Sequence, residues 1–317
     1  QKISMQPFET AEAYPVYLSA TLSASENRRK IHLILRDAAG AHGSGVLDLD
    51  IHAEQTLPGH TISWAGFLDD YRTNRSGTGD QLAFGQALLG ALLKADATLG
   101  QAWAAILAGA AGRPLSLIVS FGSQTEAFAQ LPLELLHDQG QFLFARPRAA
   151  LTRCFEYEPA ADFCLSAPAR ILFAWARPEG AGYCFDPTPH EDLLRDEFGD
   201  RLTVLPDASL GNLKAALQAA ADQHQPFALL HLLAHGGHDG LSGLIALNGP
   251  DRQADWIEAG QLGQAIRGLG VQLAFLCSCQ SGITGEVSLS GVAQQLLSPA
   301  GGNLNVVIAT QANLPVA

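Results

Sequence analysis

An α/β protein is what this sequence predicts: a mostly parallel sheet flanked by helices, preceded by an α+β N-terminal subdomain. Three observations predict it. Beyond about residue 166, short and nearly continuous apolar runs alternate with helical stretches, which is the pattern of βαβ units whose sheet is covered on both faces. Before that point the strand-like runs alternate apolar and polar residues, as half-buried antiparallel strands do. Between the two regimes "EPAADFCLSAPAR" reads as a connector, which divides the chain into residues 1–165 and 166–317.

In the first part, "YPVYLSATLS" and "KIHLILRD" are strands that pair antiparallel with "SGVLDLDIH". "TISWAGFLDDYR" and "DQLAFGQALLGALLKAD" have helical periodicity. The second is the clearer, with Asp80 placed to cap it and Leu82, Leu88, Leu89, Leu92 and Leu93 forming one apolar stripe. "TNRSGTGD" between them is a polar loop. "PLSLIVSF" is a buried strand, and "LPLELLHDQGQFLFARP" reads as a short helical turn, a glycine turn and a strand.

In the second part the order is strand "RILFAWA", helix "PHEDLLRDEFGD", strand "RLTVLP", a helix opened by Ser209, and strand "PFALLHLLAH". Then come helix "WIEAGQLGQAIRGLG", strand "VQLAFLC", helix "SGVAQQLL" and strand "LNVVIAT". No internal repeat stands out.

Composition narrows the function. The net charge of -12 repels phosphate backbones, so nucleic acid is not an expected partner. No apolar run reaches the roughly 18 residues that a membrane helix needs, so no membrane partner is expected. The five cysteines are odd in number and form no CxxC pair, which predicts reduced thiols in a cytoplasmic protein. The sequence does not begin with Met, so a fragment or processed product is expected. No G-x-S-x-G elbow and no G-x-x-x-x-G-K-[ST] loop occurs, which argues against a serine hydrolase and a P-loop NTPase. No cofactor is expected.

Two strand ends carry chemistry. In an open α/β sheet, ligands sit outside the carboxyl ends of the strands. "FALLHLLAHGGHDG" puts His235 at one such end and "LAFLCSCQSG" puts Cys279 at another. The two strands are joined by one crossover, so they are expected to be neighbours with both ends on the same edge. A thiol and an imidazole so placed are the minimum apparatus of a cysteine nucleophile. The thiol, with a pKa near ~8.5, needs a base. The imidazole, near ~6.5, can take that proton and return it to a leaving amine. The backbone N–H groups of Gly236 and Cys279 are placed to hold the oxyanion.

Each residue alone reads more blandly: a lone His at a strand end is commonly a rim residue, and a lone Cys a small buried hydrophobe. Cys277 lies nearer the sheet and reads as structural, whereas Cys279, beside the turn, reads as the nucleophile. A zinc site at His231, His235 and His238 is disfavoured. Four residues of strand separate the first two backbones by roughly 13 Å, too far for two bonds of about 2 Å to one ion.

These segments resemble the CHAT proteases, the caspase-like branch of the clan that includes caspases, metacaspases and separase. "HLLAHGGHDG" and "LAFLCSCQSG" are similar to the family's His-Gly and Ser-Ala-Cys-like blocks, with Ser278 where Ala is usual. "LPLELL" resembles its Leu-Pro-Trp-Glu-Leu-Leu segment, with Leu133 for Trp, and "LSGVAQQLLSPAGGNLNVVIATQANLPV" its helix and strand after the Cys. The resemblance implies a caspase-like fold whose C-terminal end is missing beyond Ala317. It implies a cysteine endopeptidase with His235 as base and acid and Cys279 as nucleophile, acting on a protein or peptide. It also implies control by a sensor domain or partner in bacterial defence or cell death, in some cases CRISPR-linked. By the same likeness Cys277 faces the specificity pocket, with Asp239 a second candidate there. The rival reading is a catalytically silent caspase-like scaffold.

Overall fold

The computed structural model describes residues 13–22, 30–48, 54–57, 60–73, 75–122, 125–138, 140–145, 149–155, 165, 168–181, 185–239, 242–278, 291–298 and 300–309. The chain forms two compact units, one of residues 1–68 and 76–156, the other of residues 69–75 and 157–317.

The first unit holds β1 (Tyr14–Leu22), β2 (Lys30–Asp37), β3 (His42–Asp48), β4 (Glu54–Leu57) and β5 (His60–Ser63). After them come α1 (Trp64–Arg72), which runs past the unit's edge, α2 (Thr78–Lys94), α3 (Ala97–Ala110), β6 (Leu115–Phe121), α4 (Glu126–Ala129), β7 (His137–Asp138), β8 (Gln141–Phe142) and β9 (Ala150–Phe155). Its main sheet has the order β3-β2-β1-β6-β9. β2 pairs antiparallel with β3 as expected, whereas β1 pairs antiparallel with β2 rather than with β3. On the other side of β1, β6 and then β9 run parallel. Alternation in β1 buries Tyr14, Val16, Leu18 and Ala20 on one face.

Helix α2 begins one turn earlier than expected. Gly77 occupies the N-cap, and Asp80 sits three residues in, where its carboxylate accepts from the Gly77 N–H at 3.3 Å. A carboxylate in the first turn still complements the helix dipole. Of the predicted stripe, Leu88, Leu89 and Leu92 are buried. Phe84 of α2 stacks on Phe67 with ring centroids 4.0 Å apart. The "LPLELL" segment forms a 3₁₀ turn over Leu133–Leu135, and "HDQGQF" closes a hairpin of two-residue strands, β7 and β8. Gly85 explains itself here: a Cβ at that position would lie 1.8 Å from the Leu135 carbonyl oxygen.

The second unit holds β10 (Ile171–Trp175), α5 (Thr188–Phe198), β11 (Leu202–Leu205), α6 (Leu210–Asp222), β12 (Leu229–Leu233), β13 (His235–His238), β14 (Gly243–Asn248), β15 (Ala254–Glu258), α7 (Ala259–Ile266), β16 (Leu273–Cys277), α8 (Val292–Leu297) and β17 (Val306–Ala309). Its sheet has the order β11-β10-β12-β16-β17, and every pairing in it is parallel. The order reverses between β10 and β12, and crevices for ligands form at such switch points.

Helices cover both faces. Even-numbered strand residues such as Leu172, Leu232 and Leu276 share a core with Leu213 and Leu217 of α6, Leu262 and Ile266 of α7, and Leu296 of α8. Odd-numbered residues Ile171, Phe173 and Leu233 pack instead with Leu194 and Phe198 of α5. With a strand period of two, this parity decides which face each later side chain meets. Ser209 caps α6 as expected, accepting from the Asn212 N–H at 3.1 Å.

Two expectations change. The strand expected over "PFALLHLLAH" stops at Leu233, and His235 opens β13, which with β14 and β15 makes a separate antiparallel sheet. The buried run of β14 supplies the partner. In consequence Trp256, Ile257 and Glu258, expected in a helix, belong to β15, and α7 starts only at Ala259. Among the described residues no single helix is long and apolar enough to cross a membrane. Together α2 and α3 have the composition, but they are bent by 115°.

The two glycines of α2 make a paired test. Gly85→Ala should destabilise the protein by roughly 1–3 kcal/mol, because the methyl group meets backbone that cannot retreat. Gly90, with nothing within 4 Å of a Cβ, should give about 0.5–1 kcal/mol of stabilisation when changed to Ala. Denaturant unfolding of the two variants, shifted in opposite directions, checks both.

Candidate functional site

The site begins with the ends of two strands. β12 and β16 pair in parallel with Leu233 opposite Cys277. Past those last rungs the Ala234 N–H donates to the Cys277 carbonyl at 3.2 Å, so the two chains stay together as they leave the sheet. The next residue in one chain is His235. In the other, Ser278 is buried and Cys279 follows it.

His235 opens β13 and is half-buried. The Phe185 ring lies 5.4 Å from its imidazole, at 55°, and gives the imidazole an apolar wall. Gly236 and Gly237 follow, paired with Ile245 and Leu244 of β14. A Cβ on Gly237 would sit 3.5 Å from the Trp256 ring, an ordinary contact distance, so this half-exposed indole lies over β13.

One strand repeat further into the sheet is a second group of polar side chains. His231, His190 and Cys277 each present a donor atom, all within 4.8 Å of one another. Parity places them: His231 and Cys277 are both odd-numbered and face α5, whose first turn carries His190. His231 lies between Phe173 and Phe275, with ring centroids at 5.0 and 4.8 Å, and meets His190 edge-on at 5.8 Å. It is 8% exposed. Its Nε2 is buried with no hydrogen-bond partner among the described residues, an arrangement that costs about 1–3 kcal/mol.

Burial, with a smaller contribution from His190, lowers the His231 pKa to about 4. Burial also pushes the Cys277 thiol above its ordinary range. The two shifts oppose catalysis at this pair: the ring is a poor base near neutrality and the thiol keeps its proton. Two imidazoles and a thiol are, however, a donor set suited to a transition metal.

The predicted site residues are distributed as follows. His235 and Gly236 stand at the carboxyl edge of the parallel sheet. Cys277 is half-buried against Phe173, Leu233 and their neighbours, on the α5 side. Asp239 is exposed at the β13–β14 turn, where its carboxylate accepts from the Ser242 N–H at 2.7 Å. Cys279 lies outside the described residues, as do Cys164 and Cys184. The side chain of His238 also lies outside them. His231 was weighed as a zinc ligand with His235 and His238. His231 and His235 lie on different strands, β12 and β13, and the donor atoms near His231 are those of His190 and Cys277. His190 was not singled out from the sequence, because a helical position says nothing of which strand it covers.

A family model described as the CHAT domain matches residues 83–313, well over half of the chain. The chain belongs to the CHAT domain family. This is a family of caspase-like proteases, and the match spans the "LPLELL" segment, both strand ends and the helix and strand that follow. No curated protein matches the chain.

Two outcomes are expected of this CHAT domain. At neutral pH, with Cys279 replaced by Ala, Cys277 should react with iodoacetamide several-fold more slowly than the same thiol in denaturant. Mass spectrometry of the labelled peptide measures this. A pKa of about 4 in place of 6.5 means that the unfolded state binds more protons between those values. Stability contributed by His231 is therefore full above about pH 6.5 and falls as the pH drops toward 4, by roughly 3 kcal/mol at most. Denaturant unfolding of metal-free protein at pH 7.5 and 4.5 should show a smaller pH effect for His231→Phe than for the parent.

Proposed function

We propose that this CHAT domain is a cysteine endopeptidase in which His235 is the general base and acid and Cys279 the nucleophile. The observation that carries this reading is the pairing of Leu233 with Cys277. Two adjacent parallel strands end together, and the candidate base and nucleophile each follow two residues later. The Cys277–His231 pair is the obvious competitor, and its desolvation argues against it.

In the proposed step, the Cys279 thiol proton passes to His235 as sulfur attacks the substrate carbonyl. The oxyanion is held by the backbone N–H groups of Gly236 and Cys279. His235 then returns the proton to the leaving amine, and water hydrolyses the thioester. The chemistry needs no cofactor. Phe185, against the imidazole, limits its rotation. Exposed Trp256 beside Gly237 offers an apolar surface next to the same edge.

The substrate is a protein or peptide. Cys277, two residues before the nucleophile, is small and neutral, which favours an uncharged residue before the scissile bond. Asp239 is a weaker candidate for that pocket, since its carboxylate is engaged in its own turn. A caspase-like fold, a cytoplasmic location, control by a sensor domain or partner, and a role in bacterial defence or cell death, CRISPR-linked or not, complete the proposal. The location rests on the cysteine pattern and the others on the family alone.

An electrophilic peptide probe followed by mapping of the adduct tests the assignment, with any activating partner present. Cys279 should carry the label. Cys279→Ala should abolish peptide cleavage, and His235→Ala should lower kcat/KM by about 10²–10⁴-fold. Labelling at Cys277 or Cys154 would sink the assignment, and an inert wild type would favour the silent scaffold. A strict requirement for Arg, Lys or Asp before the scissile bond in a peptide library would overturn the specificity proposal alone.

A further inference from the structure

We infer that His190, His231 and Cys277 form a three-ligand site for a zinc-like divalent transition-metal ion, with a fourth position left to water. The bond-breaking step proposed above uses none of these three side chains; only the specificity reading of Cys277 touches them, a bound ion would replace that reading, and the inference does not depend on the proteolysis.

Three elements contribute one ligand each: the first turn of α5, the middle of β12 and the last residue of β16. Their donor atoms lie within 4.8 Å of one another. In a tetrahedral site with bonds of about 2.0–2.3 Å the donors stand some ~3.5 Å apart, so closing the site asks for roughly 1 Å of side-chain movement. His190 and Cys277 are only half-buried and have room to turn. His231 supplies the independent sign of a ligand. It is nine-tenths buried between two phenylalanines, and one ring nitrogen has no partner among the described residues.

The donor set selects the ion. A thiolate and two imidazoles suit Zn²⁺ or Co²⁺, and repel Mg²⁺ and Ca²⁺, which need oxygen. Of the carboxylates flanking His190 in sequence, Asp186 accepts from the Thr188 N–H and Glu191 pairs with Arg195. His231, kept neutral by burial, offers a lone pair without losing a proton. Cys277 arrives as a thiol, so binding breaks its S–H bond, releases that proton to solvent and forms a metal–sulfur bond. Once bound, the ion would tie α5 to two central strands.

Titration of the full chain with Co²⁺ tests the site, because cobalt reports on its ligands by absorption. One equivalent should produce tetrahedral ligand-field bands and a thiolate-to-cobalt charge-transfer band, both removed by Zn²⁺, and Zn²⁺ should raise the melting temperature. Cys277→Ser should lose the charge-transfer band, and Cys279→Ser should keep it. His190→Ala, a change at a half-buried helix position that leaves the core intact, should weaken binding by at least about tenfold, since even partners of metal ligands cost that much. Absence of the band in the wild type, its survival in Cys277→Ser, or unchanged affinity in His190→Ala would each overturn the site.

Discussion

The register between β12 and β16 is the constraint on which the rest of the second unit depends. With Leu233 opposite Cys277, the two chains leave the sheet at the same height and on the same edge. A slip by one residue would turn every side chain of β16 to the other face. Phe275 and Cys277 would then lie among α6, α7 and α8, while Ala274 and Leu276 faced α5. Burial holds the register: Ala274 and Leu276 are essentially inaccessible on the three-helix face.

Residues of one parity carry two groups of polar side chains in succession along these strands. Deep on the α5 face, His231 and Cys277 are desolvated, and both shifts favour their uncharged forms. Four residues beyond His231, His235 is half-buried, with one aromatic wall and two glycines after it on its own strand. An imidazole that must gain and lose a proton needs access to water and substrate, which the outer position has. The inner one offers a fixed geometry and a lone pair. Residue types repeat along the strand, and depth alone assigns them different work.

Much was legible in the chain. The near-continuous apolar runs identified the parallel strands, because a strand buried on both faces has no polar side to show. Alternation identified β1, β2 and β3, and Ser209 marked the start of α6. The site segments were legible by position, as polar residues that end apolar runs. Less legible was β13 through β15. The strand pattern was read as ending at His235, and the apolar run of β14 does not by itself name the strand it pairs with. Trp256 to Glu258 joined the helical pattern because a strand running straight into a helix leaves no break in apolar content. The cap of α2 was misplaced because Asp80 acts from inside the first turn and glycine at the cap carries no side-chain signal.

By itself the sequence determined which segments are strands or helices, which residue types stand at their ends, and, through parity, which side chains share a sheet face. These are local properties, set by periods of two and 3.6 residues and by the few side chains that stop them. Only the tertiary structure decided that α5 lies over the His231 face, that His190 therefore meets a thiol and a second imidazole, and that Phe185 backs His235. Such meetings join residues 40 to 90 positions apart through the packing of a helix onto a sheet. No local period encodes which helix covers which strand.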